Sequence, residues 1–244
     1  MTANRTSSTF RRLLAPAICV VTFIMPFAVW YASTGNPTAY FTAIVPPGQT
    51  LFVFSKLLAL LAIVMMWFQA MSALAKDTPA LHGFPVLRTP QHMAFGIATF
   101  AIVLAHVSLF VIASTLRTQH AAWNLLLPTF DQGYYRIMLG LGAIAFWFLV
   151  LSVVAGGLRR RGLRIARWMH RTVFIVFALA FLHGISVGSE TRFGLMKYVY
   201  AFMGLSLGTA VVSRVWLHLS QRSFAARPSA SRRSARPRRE PNAY

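Results

Sequence analysis

Acidic residues are nearly missing from this chain: four Asp and Glu stand against 24 Lys and Arg in 244 residues. Charge of either sign is scarce, at 11% of the chain, while 57% is hydrophobic and the mean hydropathy is +0.58. A soluble domain of this length cannot cover so much apolar surface, which excludes an ordinary water-soluble fold. A single cysteine, Cys19, cannot close an internal disulfide, and inside an apolar run it reads as a packing residue. The apolar runs also lack the alternation of a membrane-barrel strand, which leaves helices. No glycine-rich fingerprint follows a strand, so no FAD or NADPH site is expected within the chain. The net charge of +20 does not point to nucleic acid, because the cations sit between and after the apolar runs. There they report topology instead.

What the chain does contain is six apolar stretches, at about residues 13–32, 51–74, 92–114, 134–156, 168–187 and 195–219. Roughly 20 apolar residues cross a hydrocarbon core as a helix. The expected fold is therefore an all-α integral membrane protein with six transmembrane helices in a bundle and the lipid bilayer as its principal partner. Residues 13–219 form its one domain, preceded by a short segment 1–12. The Arg-, Ser- and Pro-rich tail 220–244 holds too little apolar content to fold and is expected to be disordered. Arg5, Arg11 and Arg12 precede the first stretch, and residues 33–50 carry no cation at all. Lys76 and Arg88, then the cluster of Arg159, Arg160, Arg161, Arg164 and Arg167, and finally the tail, fall on the side of the N-terminus. The positive-inside rule then places both termini in the cytoplasm of a multi-pass plasma-membrane protein. The first stretch could serve as a signal peptide, but its length and the lack of a small-residue cleavage site favour a retained anchor.

Four histidines lie in apolar surroundings: His92 and His106 on the third stretch, His170 and His183 on the fifth. Imidazole in a membrane is costly and usually faces a cavity, a partner or a bound group. Odd-numbered spans share a direction, so His92 and His170 level near the inner surface and His106 and His183 toward the outer. The intervals of 14 and 13 residues correspond to about 21 and 20 Å of helix. Two bis-imidazole heme seats at two depths fit that arrangement, because helical bundles place cofactor ligands on facing helices. One detail resists it. At about 100° per residue the 14-residue pair shares a face, whereas the 13-residue pair lies about 140° apart. The fifth helix must tilt, tighten, or present its ligands to differently rotated porphyrins. The competing reading is four scattered histidines bonded to backbone carbonyls.

Neighbouring residues are compatible with heme. Gly96, Gly184 and Gly188 would let a macrocycle approach, or simply let helices pack; Gly204 and Gly208 read as helix packing. Phe174, Phe177 and Phe181 lie between the two ligands of the fifth stretch and read first as core. Arg88, Arg167 and Arg171 stand near the inner seat, and Arg117 and Arg192 near the outer, where propionates want cations. His82, His120 and His218 read as solvated or interfacial.

The segments RTPQHMAFGIATFAIVLAHVSLFV and RIARWMHRTVFIVFALAFLHGISVGSET resemble the ferric reductase-like transmembrane domain superfamily. This group includes NADPH oxidases, ferric reductases and the heme-binding subunit of the bacterial methionine sulfoxide reductase system. The shared features are His92-x13-His106, the Trp168-x-His170-Arg171 stretch, and His170-x12-His183. The resemblance implies two b-type hemes, the inner on His92 and His170 and the outer on His106 and His183. It departs in one respect: oxidases and reductases of the group continue into a flavin- and NADPH-binding domain, and here about 25 arginine-rich residues follow the last span.

The function expected from these observations is an oxidoreductase subunit. It would be a di-heme cytochrome passing electrons from a cytoplasmic-side donor, a separate flavoprotein or quinol, to an extracytoplasmic acceptor. One alternative is a heme-binding subunit serving a periplasmic methionine sulfoxide reductase-type partner. Another is a cofactor-free transporter or structural membrane protein. Transporters usually hold acids or broken helices at the membrane centre, whereas Asp77, Asp131, Glu190 and Glu240 fall in loops or the tail.

Overall fold

The architecture was determined as a computed structural model that describes residues 3–225 apart from 43, 131, 132, 160 and 193. Most of the basic tail, with Glu240, and Asp131 therefore lie outside the described residues, as do the side chains of Arg159, Arg160 and Arg167. Helices α1 (Ala3–Thr34), α2 (Gln49–Ala75), α3 (Thr89–Thr118), α4 (Gly133–Arg159), α5 (Arg164–Arg171), α6 (Val173–Val187) and α7 (Met196–Ala225) follow one another in the chain. Single helical turns at Ala39–Thr42 and Ser189–Arg192 punctuate the connections. Among the described residues there is no strand. Six segments are long and apolar enough to cross a membrane, the fifth being α5 and α6 together over Arg164–Val187. The protein is thus an all-helical, multi-pass chain suited to a bilayer.

Contacts at the helix ends fix an up-and-down order. At one end, Arg117 at the close of α3 donates to Gln49 Oε1 at the start of α2, and Lys56 pairs with Glu190 just past α6. At the other, Arg214 of α7 pairs with Asp77 after α2, and Ser152 late in α4 meets Thr172 at the α5–α6 junction. The first set marks the far end of the bundle. The second marks the terminal end, where α1 begins and α7 finishes.

Helix α2 is the hub. It packs against α1, α3, α6 and α7, while α4 packs against α5 and α6. In its most apolar stretch 56% of residues are buried, against 11% in α3 and 11% in the α5–α6 span. Trp67, fully buried on α2, donates from Nε1 to Ser206 Oγ of α7 at 3.0 Å, and Trp30 of α1 donates to the Val53 carbonyl at 2.8 Å. Gln69 of α2 donates to Thr99 Oγ1 of α3 at 2.8 Å. Such interhelical bonds supply what the hydrophobic effect cannot, because lipid tails are as apolar as the side chains. The outward faces are correspondingly apolar, as Val20, Val21, Ile24 and Phe27 on α1 illustrate. Cys19 sits buried in the core, as its place in an apolar run implied.

Candidate functional site

The four intramembrane histidines assemble into two levels. His92, in the first turn of α3, and His170, in the last turn of α5, meet near the terminal end. Their ring centres are 6.1 Å apart and their planes perpendicular, at 90°. His106, midway along α3, and His183, near the end of α6, both line one cavity of about 400 Å³ toward the far end. The backbones of α3 and α6 hardly approach each other, since each is held instead by α2 or α4. The histidine-bearing helices are therefore spaced apart across the interior, and only their side chains close the gap.

The hydrogen bonds of the rings decide their chemistry. His106 Nδ1 lies 2.9 Å from the carbonyl of Ser55 on α2, His183 Nδ1 2.8 Å from the carbonyl of Met138 on α4, and His170 Nδ1 3.2 Å from the carbonyl of Ser152 on α4. A carbonyl can only accept, so each of these nitrogens must carry the proton and donate it. In the neutral ring, Nε2 is then left with a lone pair and no proton. A metal-ligating histidine characteristically donates its other nitrogen to a backbone or carboxylate oxygen in this way, which orients the ring and raises its basicity.

Two serines reinforce the arrangement. Ser55, 1% exposed, also places its hydroxyl 2.9 Å from His106 Nδ1 and donates it to the His106 carbonyl at 3.2 Å. Ser152, 2% exposed, pairs its hydroxyl with Thr172 Oγ1 at 2.9 Å, while its carbonyl takes the His170 proton. Thr172 stands where the fifth span is interrupted. Its N–H bonds the Met169 carbonyl at 3.2 Å, a tightened i to i−3 turn, and its hydroxyl donates to the same oxygen at 2.6 Å.

That break bears on the angular mismatch between His170 and His183. Each residue wound as a 3₁₀ turn advances about 20° more than an α-helical one. The single tightened turn at the junction therefore moves the two histidines about 20° toward a common face, a small part of the mismatch, and a hydroxyl pair pins it.

No protein-family model, curated protein or solved structure matches this chain. Its site is accordingly read from its own geometry.

The spacing of the paired imidazoles can be set against what a shared metal would require. Two rings on opposite sides of one metal need centres about 6 Å apart, from metal–nitrogen bonds of about 2 Å and roughly 1 Å from each nitrogen to its ring centre. The His92–His170 spacing of 6.1 Å meets that requirement. The far-level cavity lies within the roughly 300–1,000 Å³ typical of cofactor sites and is walled mainly by apolar residues, among them Ile63, Val103, Leu149 and Val176. Among the described residues no three His, Cys, Asp or Glu side chains converge; the histidines meet two by two.

The glycines divide differently from the sequence expectation. A methyl group on Gly142 of α4 would fall 2.8 Å from the His183 ring, and one on Gly156 would touch His170 at 3.6 Å. These two make room for the histidine rings. Gly96 faces Gln69, Gly184 leaves room for the Tyr200 hydroxyl, and Gly188 lies against Thr191, so their primary role is packing against protein. Gly204 seats Phe181, whereas Gly208 faces open space. Phe177 and Phe181 stack on each other at 5.7 Å and belong to the core, while Phe174 is exposed. Of the arginines, Arg171 stacks on Trp168 at 4.8 Å, and Arg88 and Arg192 are exposed. His82, His120 and His218 are exposed, as expected.

Sequence reasoning missed Ser55, Ser152, Thr172, Met138, Gly142 and Gly156. The two serines had a usable signal, since a polar residue in an apolar span needs a partner. At the cavity mouth, Glu190 bonds Lys56 at 2.9 Å and Ser189 at 2.9 Å. Burial pushes the Glu190 carboxyl up, but the Lys56 ammonium, with help from Ser189 and its own backbone N–H, holds it below the ordinary 4.5.

Proposed function

We propose that this protein is a di-heme b-type membrane cytochrome of the ferric reductase-like kind, carrying electrons from a cytoplasmic-side donor to an extracytoplasmic acceptor. One observation carries the reading: three intramembrane histidines donate Nδ1 to backbone carbonyls, which leaves each Nε2 free to bind metal. In this reading His92 and His170 hold the inner heme, and His106 and His183 the outer. Heme iron with two imidazole ligands supplies reversible one-electron chemistry and leaves no open position for oxygen. The residues of the chain do the rest. Ser55, Met138 and Ser152 fix tautomer and ring orientation from helices that bear no ligand. The apolar wall of the far-level cavity keeps water from the ligand nitrogens. The donor in this reading is a flavoprotein or membrane quinol; these 244 residues hold no nucleotide fingerprint of their own.

A cofactor-free transporter is less well supported. The two described acids, Asp77 and Glu190, are ion-paired at the ends of the bundle and are not at its centre.

The test is a visible spectrum of the purified full chain, supplied with heme and reduced by dithionite. His106→Ala and His183→Ala should each lower bound heme by about half and remove the same α-band component, because each heme needs both of its ligands. A colourless wild-type protein would end the reading. So would a His106→Ala variant that loses the His170-dependent component and keeps the outer one.

A further inference from the structure

A second cavity of about 360 Å³ opens at the far end of the bundle, beside the one that holds His106 and His183. The two share five wall residues, Phe52, Phe110, Leu125, Tyr135 and Leu139. Its remaining lining is small and polar and carries two cations: Arg117 closes α3 and Arg136 opens α4, with His120 between them in sequence. Among the described residues no carboxylate lines it. The two described acids are engaged elsewhere, Glu190 with Lys56 and Asp77 with Arg214.

We infer that this second cavity is a carboxylate-binding vestibule over the far-level histidine pair, with Arg117 and Arg136 as its anion-holding residues. Arg117 is held in place at one edge. Its guanidinium donates to Gln49 Oε1 at 2.5 Å and lies 5.3 Å from the centre of the Phe52 ring. A guanidinium has five N–H donors, so most of its fork stays available to a planar carboxylate. Arg136 has no ion-pair or hydrogen-bond partner among the described residues. Two cations facing one concavity repel each other, and a bound anion relieves that cost. Arg136 stands in the first turn of α4, and the positive end of the helix adds to the same field. Asn124 and Tyr135 contribute neutral donors, and the shared apolar wall suits an organic carboxylate better than a fully hydrated inorganic ion.

Two sources share this chemistry: the propionates of an outer macrocycle, and a free polycarboxylate acceptor or acceptor chelate. The anion site stands on geometry alone; its service to electron transfer rests on the di-heme reading.

The experiment uses the full chain in lipid nanodiscs, loaded with heme, with citrate as the probe. Citrate affinity is read by calorimetry and heme content by spectrum, for the wild type, Arg117→Gln, Arg136→Gln and the opposite-end control Lys76→Gln. Loss of one charge-assisted contact should weaken citrate about tenfold or more, increasingly so at low salt. If both arginine variants do this with a full heme complement, and Lys76→Gln does not, the vestibule takes a free carboxylate. If they shed the far-level heme component instead, while Arg117→Lys and Arg136→Lys retain part of it, the carboxylates are the macrocycle's own. Unchanged citrate affinity and unchanged heme content in both arginine variants would overturn the inference. A chain that binds no heme, yet loses citrate with either arginine, would keep the vestibule and sink the cytochrome reading.

Discussion

The two histidine levels are built from the same parts and differ in how they are held. At the terminal end, His92 and His170 nearly touch, and His170 relies on a single carbonyl at 3.2 Å and on a pinned break in its helix. At the far end, His106 and His183 face a cavity, each bonded at 2.9 Å or less, with a serine hydroxyl added at His106. The first level depends on backbone shape, the second on packing around a cavity. Substitutions should therefore damage the two levels separately, and through different residues.

The largest separation is expected from Gly142→Leu. Its side chain would occupy the position of the His183 ring, and overpacking of this kind costs about 1–3 kcal/mol. The far-level heme component should be lost and the thermal midpoint lowered, with the terminal-level component intact; loss of both components would erase the contrast. A smaller effect should follow Thr172→Val, which keeps shape but removes the hydroxyl bonded to Ser152 and Met169, worth about 1 kcal/mol. Only the terminal-level spectrum and midpoint potential should move. If the far-level signal shifts equally, the junction is not a local device. Glu190→Gln sharpens the comparison least. The Glu190 carboxyl titrates below its ordinary value, so its stabilisation is present above the unfolded pKa and is lost as pH falls through the folded one. Wild-type thermal stability should thus decline on acidification below about pH 4.5 by roughly 1 kcal/mol or less, and the variant should show a flatter profile.

Much of the bundle was legible because span length is written directly in composition. All six expected stretches are helices, and they run longer than the apolar windows, as α1 over Ala3–Thr34 and α3 over Thr89–Thr118 illustrate. Apolarity marks where lipid begins and ends, whereas the backbone ladder continues into polar flanks. The histidine levels were legible for a similar reason: depth is rise times residue count. Their supports were not. A carbonyl acceptor such as Met138 has no side-chain signature, because every residue carries one. The interruption at Thr172 has neither proline nor glycine to announce it, and it surfaced only as an angular discrepancy between His170 and His183. Gly142 differs from Gly96 and Gly184 only in what stands opposite it, which is a tertiary fact.

The carbonyls that orient the rings have one more consequence. His106 is met by Ser55, and His170 and His183 by Ser152 and Met138. In each case the acceptor lies on the membrane segment made immediately before the histidine's own. A growing chain that enters the bilayer from its N-terminus therefore delivers every acceptor ahead of the imidazole it will receive. Each histidine-bearing segment leaves the ribosome to find its mould already standing.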